Sequence, residues 1–335
     1  MEMVEIGKVL GEGFNIWKRN LNICLPFVFG TLLSFIFVIF TFGAALLLAS
    51  PSLFRILGKL PQESQFPQAY TPTPPKPQIP PEVASQIISE FARNWFILLV
   101  ACILSAIILL FISAYFAAGA IGMAKEAHLK GKTNLSDMIY YGSKKFLSLL
   151  GADIIVGLIA LLGLIFLIPS IVFILPYLPY ITPSPDAVPR ELMLTFFALL
   201  LIGIVLFAIY ALIISIIFAL TRYAVVIEDL RAVEGVKTAF KRFLEHKLDV
   251  FLMWLIVTII GVGISIAADL FGNLINLLSG VPVGSLIGII VSLVVVQPLT
   301  VVWWSGFYLR LMPTTQTTTQ TTQGSSAGSE RPKEF

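Results

Sequence analysis

Residues 192–220 read LMLTFFALLLIGIVLFAIYALIISIIFAL and hold no Asp, Glu, Lys, Arg or His; residues 221–249 then read TRYAVVIEDLRAVEGVKTAFKRFLEHKLD, dense in charge, before the apolar character returns at Val250–Ala268. A helix that crosses a bilayer takes roughly 20 mostly apolar residues, because every backbone N–H and C=O must be bonded inside the segment once water is gone. The first stretch meets that requirement. The charged interval is then a connection at one membrane face, and the chain turns back through the apolar run that follows.

The same test selects six spans: Leu21–Ala49, Trp95–Ala120, Leu149–Leu175, Leu192–Leu220, Val250–Ala268 and Ser285 to about Leu311. Of the 335 residues 57% are hydrophobic and 12% charged, against roughly 25% charged in soluble domains. So little charge excludes a water-soluble globule and a disordered chain. Across the six spans the only ionisable residues are Asp153, one turn into the third, and Arg310 at the end of the sixth. The expected fold is all-α, a polytopic membrane bundle in residues 1–311, followed by a Thr/Gln/Ser-rich tail at 312–335 with too few apolar side chains to fold. The net charge of +3 is too small to argue for nucleic acid.

Cytoplasmic connections retain Lys and Arg. With the N-terminus inside, the inner segments carry 17 such residues and the outer ones 5, which places the chain in a cell membrane with both ends in the cytoplasm. The tail segment TTQTTTQTTQ at 314–323 resembles a glycosylated outer stalk and is the one feature against this; Arg310 directly after the last apolar run keeps the tail inside. Trp95, Tyr177 and Tyr180 read as anchors at the outer boundary and Trp254, Trp303, Trp304 and Tyr308 at the inner one. Between the first two spans, Pro61–Pro81 contains eight prolines in 21 residues and reads as a stiff exposed spacer. The N-terminus lacks a basic region before its first apolar run, so no cleaved targeting segment is expected.

Each odd span is preceded by an amphipathic segment. Met3, Ile6, Leu10, Phe14, Trp17 and Leu21 recur at steps of three and four, as do Leu135, Met138, Ile139, Phe146, Leu149 and Leu150, and Val233, Val236, Phe240, Phe243, Leu244 and Leu248. Thr133 or Asn134 can cap the second and Asp229 the third. The unit is an interfacial helix, a span, an outer turn and a span, repeated three times in one orientation, giving three tandem hairpins each introduced by a cytoplasmic helix. Asn22, Asp153 and Asp249 stand at the first turn of the odd spans, where a polar or acidic group supports a helix N-terminus. Glu228 and Asp229 are expected to be solvated or to pair with Arg222 or Arg231. Pro26, Pro169 and Pro298 predict kinks, and Gln297 is the deepest polar side chain of the last span. Gly280, Gly284 and Gly288 fall four apart and predict close helix approach. Asp269, Asn273 and Asn276 alternate with apolar residues and suggest an outer amphipathic turn.

No catalytic or metal pattern is found. His128 and His246 have no second ligand at metal spacing, Cys24 and Cys102 lie inside apolar runs, and HExxH and GxxxxGK are missing from the sequence. No cofactor and no enzymatic activity are expected.

The stretch Phe218-Ala219-Leu220-Thr221-Arg222-Tyr223-Ala224-Val225-Val226-Ile227-Glu228-Asp229, continued by Ala232, Gly235, Lys237, Phe240 and Arg242, and the closing Gln297-Pro298-Leu299 with Tyr308-Leu309-Arg310-Leu311, are similar to the membrane domain attached to some glycerophosphodiester phosphodiesterases and to uncharacterised prokaryotic, notably archaeal, six-span proteins. The resemblance implies a fold and a membrane. With no phosphodiesterase barrel in this sequence and with the Pro-rich loop outside the pattern, it does not imply hydrolysis. The expected role is a non-catalytic scaffold that organises the membrane or a partner, with membrane lipids, especially anionic headgroups, and a protein partner or second copy as its contacts. The alternative is a transporter or channel component for an uncharged or lipid-like solute, although no ionisable group stands at mid-depth where ion-coupled carriers place one.

Overall fold

The computed structural model describes residues 5–49, 81–177, 189–279 and 284–312. Those residues are helical with no strand, and six helical stretches are long and apolar enough to cross a membrane: Leu21–Ala45, Trp95–Lys130, Leu135–Tyr177, Arg190–Ile227, Lys247–Leu278 and Leu286–Leu311. They fall into two compact units, one within Gly30–Ser113 and one comprising the rest. The Pro-rich loop through residue 80, Tyr180, Gly280 and the tail lie outside the described residues.

The chain begins with amphipathic α1 (Ile6–Arg19), a 3₁₀ turn at Leu21–Cys24 and α2 (Leu25–Ala49), in which Pro26 occupies the first turn. Helix α3 (Pro81–Lys130) has 50 residues, about 75 Å at 1.5 Å per residue, and runs well past both ends of the Trp95–Ala120 span. It stops at Gly131, whose φ of +75° lies in the left-handed region that glycine enters without a Cβ penalty and whose N–H bonds to Ala127 O at 3.0 Å.

Helix α4 (Leu135–Leu161) opens on a capping box: Asn134 Oδ1 accepts from Asp137 N and Asp137 Oδ2 accepts from Asn134 N. Here the second amphipathic segment and the third span form one continuous helix, and Asp153 is a mid-helix residue. This corrects the expectation that it supports a helix N-terminus. A 3₁₀ segment (Leu162–Leu167) and α5 (Ile168–Ile174), with Pro169 in its first turn, complete that span before a final 3₁₀ turn at Leu175–Tyr177.

Helix α6 (Arg190–Ile217) leads through a turn to α7 (Thr221–Ile227), then to amphipathic α8 (Ala232–Glu245), α9 (Lys247–Ser279), α10 (Gly284–Val291), a π-helical segment (Ser292–Val296) and α11 (Gln297–Leu311). The N–H of Arg231 is capped by Glu234 at 3.3 Å, so the expected cap at Asp229 falls elsewhere. Asp269, Asn273 and Asn276 belong to the unbroken α9; the outer turn expected there is helix.

Within the larger unit the buried side chains gather at one end, where α1, the close of α3, the start of α4, α7, α8, the start of α9 and α11 meet around Val9, Leu149, Val225, Met253 and Phe307. We call this end the base. Trp303, Trp304 and Tyr308, expected as boundary anchors, belong to that core and are buried. Only Gly at position 235 lets α8 lie on α7, since a Cβ there would overlap Val225 Cγ2, and Gly13 brings α1 onto the ring of Trp303.

Candidate functional site

The base carries buried charge, which in a mostly apolar protein requires partners. Glu228 caps the end of α7, and Asp229, next to it, adopts φ +60°. The left-handed residue sends the two carboxylates in different directions. Glu228 Oε1 receives Arg242 Nη2 at 2.5 Å and the Tyr308 hydroxyl, while Arg242 Nη1 donates to Leu311 O and its guanidinium lies 5.0 Å from the Tyr308 ring centroid. Both Glu228 and Arg242 side chains are about nine-tenths buried. Asp229 takes Lys145 at 2.6 Å and Lys144 at 3.1 Å, both from α4. Partial burial raises the Asp229 pKa, but the bonds to Lys145 and Lys144 outweigh it and hold the carboxyl below its ordinary value.

These partners differ from the expected Arg222 and Arg231. Arg222 instead bonds Asp153 at 2.9 Å, so the two candidate positions form one pair, half-exposed on the Arg side. A third cluster joins α3 to α4 and α7: Lys125 donates to Ile227 O at 3.0 Å and lies over the Tyr141 ring, whose hydroxyl donates to Glu126 at 2.6 Å, and Lys130 reaches the same carboxylate at 2.8 Å. His128 Nε2 donates to Val302 O at 2.9 Å. Sequence reading singled out neither Lys125 nor Glu126, because charges near a span end look solvated until the neighbouring helices are placed.

The joint between α1 and the first span is tied to the α3–α4 turn. Asn20, buried and unremarked in the sequence, accepts from Thr133 N at 3.1 Å and donates to Gly131 O and Ile16 O; Asn22 donates to Thr133 O. Asp249 stays in the first turn of α9, buried, 3.5 Å from His246 Nδ1. In the last span Pro298, having no N–H, cannot donate to Val294 O four residues back. That carbonyl accepts the Trp17 indole at 3.2 Å and the Cys24 thiol at 3.1 Å, and Gln297 is exposed with its amide on Ser292 Oγ at 3.3 Å. Trp303 Nε1 donates to Leu10 O at 2.9 Å and Arg310 pairs with Glu12 at 2.6 Å, fastening α1 to α11.

The glycine contact of the last hairpin involves a position that the four-residue spacing omits. Gly272 and Gly284 face each other so closely that a Cβ on either would stand within 2.5 Å of the other's carbonyl oxygen, and a Cβ at Gly288 would meet the Asp269 carboxylate.

An open cleft of about 470 Å³ runs along α9 and α11, lined by Trp254, Thr258, Gly261, Ser265 and Asp269 from the first and Thr300 and Trp304 from the second, with apolar walls between. Among the described residues no group of three or more His, Cys, Asp or Glu could hold a metal ion.

The family model described as a domain of unknown function, DUF7847, matches residues 81–311. The chain belongs to that family. The match spans α3 to α11 and so takes in every charged cluster of the base except the α1 contacts. An uncharacterised protein of Archaeoglobus fulgidus is 26% identical over 313 residues, covering 91% of this chain and 95% of that one. No solved structure matches the chain.

Proposed function

We propose that the protein is a non-catalytic membrane scaffold whose basal helices seat on anionic lipid headgroups at the cytoplasmic face of the cell membrane. The supporting observation is the outward surface of α8. Val233, Phe240 and Leu244 are exposed there and lie within about 40° of one another at 100° per residue; Lys237 and Lys241, also exposed, flank them on the same side. An exposed apolar stripe bordered by lysines suits the headgroup boundary, where the rings and aliphatic groups enter the bilayer and the ammonium groups snorkel to phosphate. Phe14 and Leu21 beside Lys18 and Arg19 repeat the arrangement at the end of α1.

The carboxylates of the basal clusters are occupied by cations and two tyrosines of the chain itself, which favours structure over acid–base chemistry. The threefold recurrence of interfacial segment and hairpin, the association with a partner or second copy, and the likeness to phosphodiesterase membrane domains all suit this reading. The test is native mass spectrometry of protein released from mixed nanodiscs. Retained phosphatidylglycerol in preference to phosphatidylcholine, lost in K237E/K241E, is expected; equal retention of both lipids refutes it.

The cleft along α9 favours a second reading, a carrier component for an uncharged or lipid-like solute. Headgroup-independent lipid exchange between leaflets in proteoliposomes, lost on filling the cleft, would select it.

A further inference from the structure

The cleft between α9 and α11 joins three features that the scaffold reading leaves unused. Its α9 wall repeats at positions 254, 258, 261, 265 and 269, one face of the helix, and extends about 22 Å between the first and last of these at 1.5 Å per residue. The 470 Å³ spread over that length makes an open groove that a chain of carbons at contact distances of about 4 Å can follow. The volume lies in the range of roughly 300–1,000 Å³ of small-molecule sites.

The second feature is Asp269. It is exposed in the lining, the only ionisable residue there, and among the described residues it forms no ion pair or hydrogen bond. Two other carboxylates of the larger unit are matched by cations, Asp153 by Arg222 and Glu228 by Arg242. The third is at the opposite end, where the hydroxyls of Thr258 and Thr300 and the indoles of Trp254 and Trp304 make no hydrogen bond among the described residues. The glycine at 261 leaves the middle of the wall open, its nearest neighbour in the direction of a Cβ being Val296 Cγ1 at 3.6 Å.

We propose that this cleft binds a single-chain amphiphile with a cationic head, the ammonium group against Asp269 and the hydrocarbon chain lying over Gly261 toward Trp254 and Trp304. An anionic or neutral head leaves the carboxylate unmatched.

The test titrates the full chain, in maltoside micelles, with 12-bromododecyltrimethylammonium and follows tryptophan quenching by the bromine at the chain end. Saturable quenching at one molecule per protein is expected. D269N weakens binding at least tenfold, D269E keeps it within threefold, and G261L abolishes the saturable phase while each variant retains the parent melting temperature. Neutral 12-bromododecanol quenches without saturation. Undiminished binding in D269N, or saturable binding of the alcohol as tight as that of the ammonium, overturns the charge recognition; undiminished binding in G261L overturns the location. If G261L does not fold, S265W fills the slot at the next position on the same face, and unaltered binding there overturns the location equally.

Discussion

The base and the outer stretches of the spans are built from the same kind of sequence and are held in different ways. In the base, Leu149, Val225, Val250, Met253 and Phe307 are fully buried, and charged side chains close around them in pairs. Farther along the helices of the same unit, Leu158, Leu162, Leu201 and Ile259 remain more than half exposed. Only 6–22% of each spanning window is buried. Water would penalise that exposure at about 25 cal/mol per Å², whereas lipid tails do not, so the outer stretches need no partner and the base supplies the specificity of the packing.

The contrast is broken most severely by removing a buried charge. Arg242→Ala leaves Glu228 without its cation inside the base and withdraws the donor from Leu311 O. The expected loss is about 3–5 kcal/mol, read as a large fall in thermal stability of the micelle-solubilised protein; a change within about 1 kcal/mol would show that the base is wetter than described. Next in size is Gly13→Ala. A Cβ there would overlap Trp303 Cδ1, and overpacking of this kind costs about 1–3 kcal/mol. Because the same contact carries the Trp303–Leu10 bond, the variant should also expose α1 to protease before the remainder unfolds.

Sequence alone made the all-α class and the six apolar runs legible, since apolar length is a local property. Asn134 could be read as a cap because its partner is three residues away, and Pro26, Pro169 and Pro298 mark the points where new helical segments begin. Helix ends were less legible: α3 continues to Lys130 because nothing in IGMAKEAHLK (121–130) breaks a helix, and a membrane boundary is not a helix boundary. The partners of Glu228 and Asp229 were beyond reach. Neighbours along the chain suggested Arg222 and Arg231, but the φ of +60° at Asp229 and the packing of α4 against α7 decide the pairing, and both depend on contacts 14 to 85 residues apart. The lining of the cleft was hidden for the same reason; its α9 residues are spaced as any buried helix face is.

Charge pairs at the surface of the base contribute less than buried ones. Asp229→Asn removes a carboxylate held by two lysines while keeping a residue that tolerates the left-handed conformation. Since the folded pKa is depressed, its contribution is fully present above the ordinary carboxylate value of about 4 and disappears as pH falls through the lower folded value. The stability gap between parent and D229N should therefore be constant from neutral pH down to about 5 and close in stronger acid. Asp229 is about half exposed, so solvent screening keeps the gap below roughly 1 kcal/mol. A gap that widened in acid would assign the opposite sign to the interaction.

The smallest effect belongs to the outer stretches. Leu201→Ala, at a side chain 63% exposed, removes methyl groups that touch solvent lipid in the folded chain and would touch lipid again if the helices separated within the bilayer. The two states lose the same contacts, and the change in stability should stay within about 0.5 kcal/mol. The same substitution at Leu149, in the base and fully buried, removes contacts that only the folded state possesses and should cost about 2–5 kcal/mol. Comparing the two leucines by thermal denaturation in one detergent isolates burial from residue type. Equal losses would mean that residue 201 is covered by something other than lipid.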